Sequence, residues 1–120
     1  MAWHTLTAPA NDDIEKFESS ALQKTELFPP VVGSNMSVSF SHIFGGGYAA
    51  GYYGYKWAEV LDADAFKHFR KNGIFNSKTA SAFRKNILEK GGTDKPMKLY
   101  ISFRGKEPTI DAFLERSGFK

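Results

Sequence analysis

The sequence contains no cysteine. That absence excludes disulfide scaffolds, thiol nucleophiles and cysteine-ligated zinc or iron–sulfur centres, and it leaves the redox compartment open, with the cytoplasm as default. There is no apolar run approaching the ~18 residues of a membrane span. Residues 1–10 have neither a basic start nor an apolar stretch of signal-peptide length, so membrane insertion and secretion are not expected. Histidine is scarce. None of the three, His4, His42 and His68, is followed by Glu, and no two stand at the i, i+4 spacing by which one helix face supplies two metal ligands. No internal repeat and no linker divides the chain, so a single domain spanning 1–120 is expected.

What is present is an ordinary globular composition, with 42% hydrophobic and 24% charged residues in 120. A chain of this length can bury roughly two-thirds of its unfolded surface. The net charge of +3 hides an asymmetry: residues 1–55 carry 2 basic and 5 acidic side chains, and residues 56–120 carry 14 and 8. The basic excess between Lys67 and Lys106 admits contact with nucleic acid. A set of solvated helix faces, or a surface docking on an acidic partner domain, explains it without any recognition motif.

Apolar periodicity predicts a mostly helical chain. A first helix is expected over Asp12 to Glu26, capped by Asn11 or Asp12 and stopped before Pro29-Pro30. From Phe28 to Ser41 the pattern turns extended, and Ser37-Val38-Ser39-Phe40 alternates like a short strand or an ordered loop. A helix from about Tyr52 to Lys71 ends at Gly73, and another, capped by Asn76 or Ser77, ends at Gly91-Gly92. Two short helices, Pro96 to Arg104 and Thr109 to Arg116, end at Gly105 and Gly118. The fold class expected is therefore all-α, with an irregular glycine-rich loop and at most one short extended segment.

That loop is the most informative part of the chain. Five of the 11 glycines and four of the five tyrosines fall between Gly45 and Tyr55. Glycine costs about 1 kcal/mol relative to alanine inside a helix, so this composition predicts a loop or a deliberately deformable helix start. At 100° per residue, Tyr52, Tyr55, Glu59 and Asp62 share one stripe, and Tyr53, Trp57, Val60 and Leu61 form the opposite, core-facing one. Phenols beside carboxylates and a flexible loop suit a ligand surface; ordinary half-buried aromatics with satisfied hydroxyls give the same pattern. Asp62 and Asp64 differ in helical phase by about 200°, so their carboxylates diverge and are read as salt-bridge partners for the lysines.

The run His42-Ile43-Phe44-Gly45-Gly46-Gly47-Tyr48-Ala49-Ala50-Gly51-Tyr52-Tyr53-Gly54-Tyr55-Lys56-Trp57-Ala58-Glu59 resembles the C-terminal signature of the thimet-oligopeptidase family of zinc metallopeptidases, which includes oligopeptidase A and the bacterial peptidyl-dipeptidases (dipeptidyl carboxypeptidases). The likeness continues through Leu61-Asp62-Ala63-Asp64-Ala65-Phe66, Gly73-Ile74-Phe75-Asn76, Phe103-Arg104-Gly105 and Glu107-Pro108. The opening Ala2-Trp3-His4-Thr5-Leu6 looks like the peptidyl-dipeptidase branch. Family members are several times longer, and their zinc is held by a His-Glu-x-x-His helix and a distant Glu upstream of the matched region. The resemblance thus implies a C-terminal piece of a larger enzyme that hydrolyses short peptides, inactive alone, whose partners are peptide substrates and the remainder of its parent chain. It implies zinc in the full-length enzyme and no metal on these 120 residues. By the same resemblance, Tyr55 stabilises the transition state and His42 lies at the reacting carbonyl. Tyr48 and Tyr52 contact substrate, and Gly45, Gly46 and Gly47 belong to a mobile loop that closes over the peptide. The active-site segment is residues 41–55.

Overall fold

In a computed structural model, which describes residues 1–11 and 13–120, the chain divides into two compact units, residues 1–54 and 55–120. Among the described residues every regular element is helical. The predicted all-α class holds.

The second unit is built on α2 (Gly54–Asn72), α3 (Ser77–Phe83), α4 (Pro96–Arg104) and α5 (Asp111–Arg116). Arg70 and Lys71 in the last turn of α2 oppose the partial negative charge of its C-terminus. Gly73 follows with φ +98°, a conformation that L side chains rarely adopt, and the chain reverses there. Asn76 then caps α3, its Oδ1 accepting the Thr79 N–H at 2.9 Å. Beyond α3, residues Arg84–Leu88 widen into a π turn in which the Glu89 N–H bonds back to the Arg84 carbonyl at 2.9 Å, a feature without a sequence signal. Pro96 opens α4 and Gly105 closes it with φ +80°, as the sequence predicts.

The core of this unit is Ala65, Tyr100 and Phe103, with Leu61, Phe69, Ala82, Phe83 and Ile87 packed around it. Phe83 meets Phe103 edge-on at 5.1 Å, and Phe69 meets Phe83 at 5.8 Å. Each such pair adds about 0.5–1.5 kcal/mol beyond its area. Asp64 is buried against this core, accepting the Tyr100 hydroxyl at 2.7 Å and the Arg104 Nε–H at 2.9 Å. Burial, and then the bond to Asp64, push the Tyr100 phenol well above its ordinary range. Asp62 points elsewhere and takes Arg116 at 2.5 Å. The two carboxylates diverge as their phases require, but their partners are arginines rather than lysines.

The core-facing stripe predicted for α2 needs correction at its N-terminal end. Tyr53 precedes the helix and is 58% exposed, and Trp57 is 61% exposed. Trp57 shares the helical phase of Leu61 but stands one turn beyond the core, at the rim of an apolar cavity of about 660 Å³ that Leu61, Phe83, Ile87 and Met97 also line.

The first unit has α1 (Ile14–Leu22) and two single 3-10 turns, Ala2–Thr5 and Ser41–Ile43. The N-cap position of α1 is Asp13, not Asn11; the alternative cap, Asp12, lies outside the described residues. Phe17 on α1 stacks on Trp3, ring centroids 4.1 Å apart, and Trp3 in turn meets Phe44 at 5.9 Å. Residues 37–40 form no strand. The Met36 carbonyl accepts both the Ser39 and Phe40 N–H groups, at 3.1 and 3.0 Å, so the segment is a hydrogen-bonded turn; alternation without a neighbouring strand has no ladder to join.

Candidate active site

The segment from Phe40 to Tyr55 is shaped by successive turns rather than by a helix. The Ser41 carbonyl accepts the Phe44 N–H at 3.0 Å and the Gly45 N–H at 2.7 Å, closing the turn that carries His42. Gly46 has φ +105°, and a Cβ there would meet nothing within 4 Å; it is the backbone conformation, not crowding, that calls for glycine. Ala50 takes φ +51° without that freedom, a strain of order 1 kcal/mol. Gly51 and Gly54 donate to the Tyr48 and Gly51 carbonyls, each at 3.0 Å. These turns hold the chain back from helix until Gly54, so Tyr52 is not on α2 and does not share a helical stripe with Tyr55.

The same turns bring three of the predicted site residues together. The His42 ring lies 6.2 Å from Tyr48 and 5.8 Å from Tyr52, and Tyr48 meets Tyr52 edge-on at 5.9 Å. Phe40 completes the group, edge-on to Tyr52 at 4.6 Å and 5.9 Å from His42. Tyr48 is 40% exposed and His42 is exposed, so the cluster presents an imidazole and phenols to solvent over an aromatic base. Gly45, Gly46 and Gly47 are all exposed beside it in sequence. Tyr55 opens α2 in the second unit and is 48% exposed.

Sequence reasoning missed what anchors the turn that precedes this segment. Glu18 on α1 accepts the Met36 N–H at 2.9 Å, the Ser37 N–H at 2.7 Å and the Ser37 hydroxyl at 2.5 Å. Trp3 Nε1–H donates to the same hydroxyl oxygen at 2.9 Å. The Ser37 hydroxyl first, and the Met36 amide next, hold the Glu18 carboxyl below its usual range. No spacing rule links positions 18 and 37; the one available signal is a glutamate on the half-buried side of an amphipathic helix.

His4 and His68 are structural neighbours of aromatic rings. His4 lies 6.0 Å from Phe44, and His68 is edge-on to Phe103 at 5.5 Å. Burial, followed by Arg104, lowers the His68 pKa below the usual imidazole value. Among the described residues no three His, Asp or Glu side chains converge in a way that could hold a metal ion.

Comparison with known proteins gives a consistent picture. Residues 1–119 match the model of Peptidase family M3. Oligopeptidase A of Escherichia coli (strain K12) is 58% identical over 82 residues, covering 68% of this chain and 12% of that protein. Oligopeptidase A of Haemophilus influenzae is 45% identical over 115 residues, covering 96% of this chain and 17% of the relative. Dipeptidyl carboxypeptidase of Salmonella typhimurium is 39% identical over 120 residues, covering 98% and 18%. The chain therefore spans under a fifth of the length of these curated relatives. With the family model running through the whole turn segment and both units, the chain belongs to peptidase family M3.

Proposed function

We propose that this chain is the C-terminal part of a peptidase that hydrolyses short peptides, and that it furnishes one wall of the active site. The observation that carries this reading is the cluster of exposed His42 and Tyr48 with half-buried Tyr52 on glycine-rich turns, in a chain of this family. Amide hydrolysis passes through a tetrahedral oxyanion, which one or two aimed donors stabilise. A tyrosine hydroxyl is such a donor, and it brings no competing nucleophile. On this reading Tyr55 donates to the developing oxyanion and His42 hydrogen-bonds at the reacting carbonyl. Tyr48 and Tyr52 bind the peptide backbone. Gly45, Gly46 and Gly47 let the segment close over the substrate, since no Cβ and little packing restrain them.

Zinc and its ligands belong, on the same reading, to the rest of the polypeptide. The apolar cavity rimmed by Trp57 and Met97 supports a further packing partner, and the remaining four-fifths of a family-length chain is the occupant we propose. The 120-residue chain alone is then expected to retain no stoichiometric zinc after dialysis and to cleave no fluorogenic peptide. In the intact peptidase, His42→Ala and Tyr52→Phe each lower kcat/KM for a short peptide by roughly 10-fold or more. Wild-type kcat/KM in both variants rejects the reading.

A nucleic-acid-binding module is not favoured. Lys56, Lys67, Arg84, Lys98, Arg104, Arg116 and Lys120 are each paired with a carboxylate, and no recognition motif accompanies the basic excess that remains. The stacking platform such a module would need is the cluster assigned above to substrate.

A further inference from the structure

The geometry points to Glu18 as a positioning residue for the active-site cluster: its carboxylate fixes the turn at Met36–Ser37, and that turn seats the Phe40 ring against Tyr52 and His42. The inference rests on the roles proposed above for His42 and Tyr52.

The chain of contacts is short and has a direction. Both Glu18 oxygens are committed, Oε1 to the Met36 amide and Oε2 to the Ser37 amide and hydroxyl. A carboxylate has only acceptors, and here it meets only donors, so charge and geometry agree. The Met36 carbonyl, on the far side of the clamped peptide, accepts the Phe40 N–H at 3.0 Å. The Phe40 carbonyl accepts the Ile43 N–H at 3.3 Å and so starts the single turn on which His42 rides. The Phe40 ring, half-buried, packs edge-on against Tyr52 at 4.6 Å. No described residue of this unit is buried, so no buried core among them holds Phe40 in place independently. The clamp is a direct hydrogen-bonded link between α1 and the turn that precedes the site, and Trp3, stacked on Phe17 of α1, braces it by its bond to the Ser37 hydroxyl.

Glu18→Gln keeps the side chain's size and removes one acceptor. The amide NH2 then faces a backbone N–H or the hydroxyl, and part of the clamp opens. In the intact peptidase, kcat/KM for a short fluorogenic peptide is expected to fall roughly 10-fold to 100-fold, the scale for a displaced site group. Circular dichroism and metal content stay at wild-type values. A double-mutant cycle separates positioning from general destabilisation. In a Phe40→Leu background, which keeps apolar bulk but loses the aromatic edge, Glu18→Gln should cost less than about 3-fold more. In a Tyr55→Phe background it should cost its full factor.

Unchanged kcat/KM in Glu18→Gln, or the full loss repeated in the Phe40→Leu background, overturns the inference. If His42→Ala and Tyr52→Phe are themselves silent, the functional reading fails first. Active-site losses in those two variants alongside a silent Glu18→Gln remove the positioning role alone.

Discussion

The two units differ in how they are held. The second buries Ala63, Asp64, Ala65, Thr79, Tyr100, Phe103 and Ala112, whereas no described residue of the first is buried. One is kept by close-packed aromatic rings and a paired internal charge. The other is kept by turns, a carboxylate clamp and ring edges that face solvent. The proposed residues divide along the same line: His42, Tyr48 and Tyr52 ride on glycine-rich turns, and Tyr55 sits on a 19-residue helix. Rigid elements hold a reacting group more accurately than loops do, while substrate must enter and leave past something that yields. On the proposed roles, the difference puts the oxyanion donor on the helix and the peptide-binding phenols on the deformable segment.

The sharpest way to break this comparison is to remove the packing of one unit alone. Phe103→Ala deletes the ring at the centre of the second core and should cost about 3–5 kcal/mol there. Each unit carries one tryptophan, Trp3 in the first and Trp57 in the second. Denaturant titration of Trp3→Phe and Trp57→Phe backgrounds therefore follows the units separately. The expected outcome is a large shift of the transition reported by Trp57 and a small one reported by Trp3. Equal shifts would show the two units unfolding as one.

Nearly as large, and kinetic rather than structural, is the effect of Tyr55→Phe in the intact peptidase. Loss of one oxyanion donor lowers kcat by about 10²-fold to 10³-fold, with KM little changed. Tyr52→Phe should instead act mainly through KM, because Tyr52 is assigned to ground-state binding as much as to the transition state. Steady-state kinetics on one peptide resolves both. A Tyr52 variant that loses kcat and a Tyr55 variant that loses only KM would reverse the assignment of helix and loop.

Local signals in the sequence were legible where a single residue type meets a single backbone need. Asn76 as a cap, Gly73 and Gly105 as left-handed helix ends, and Pro96 at a helix start all stand where they are predicted. Signals that depend on context were not. Ser37 to Phe40 alternates like a short strand or an ordered loop; the described residues hold no neighbouring strand, and Glu18 clamps the segment as a hydrogen-bonded turn. Trp57 has the right phase for the core, yet phase says nothing of where along a helix the core stops. The roles of Tyr48, Tyr52 and His42 came from resemblance; their proximity is a product of the turns, which periodicity cannot see.

A smaller effect probes the polar part of the second core. The Tyr100 phenol is raised by burial and by its bond to Asp64. For an acid whose folded pKa is raised, the stabilising contribution is fully present below the unfolded value, about 10 for tyrosine, and is lost as pH climbs toward the folded one. The stability of the wild-type chain relative to Tyr100→Phe should therefore be constant up to about pH 9 and decline above pH 10. Urea titrations at several pH values, read through Trp57, measure it. A difference that grows with pH would mean that the phenolate, not the phenol, is favoured beside Asp64.

The smallest expected effect is the most discriminating for the site's boundary. Tyr53 lies between Tyr52 and Gly54 in the glycine-rich turns, 58% exposed, before α2 begins. Its position on the helical wheel predicts a core residue, and its exposure contradicts that. An exposed phenol outside a core contributes little, so Tyr53→Phe should change stability by less than about 0.5 kcal/mol. Because the ring cluster is formed by Phe40, His42, Tyr48 and Tyr52, kcat and KM should both stay within about 2-fold of wild type. A stability loss above about 1 kcal/mol would restore Tyr53 to a buried, hydrogen-bonded place in the intact protein. A 10-fold fall in kcat would instead move the oxyanion donor from Tyr55 on the helix to Tyr53 on the turns, and the division of labour between the two units would fall with it.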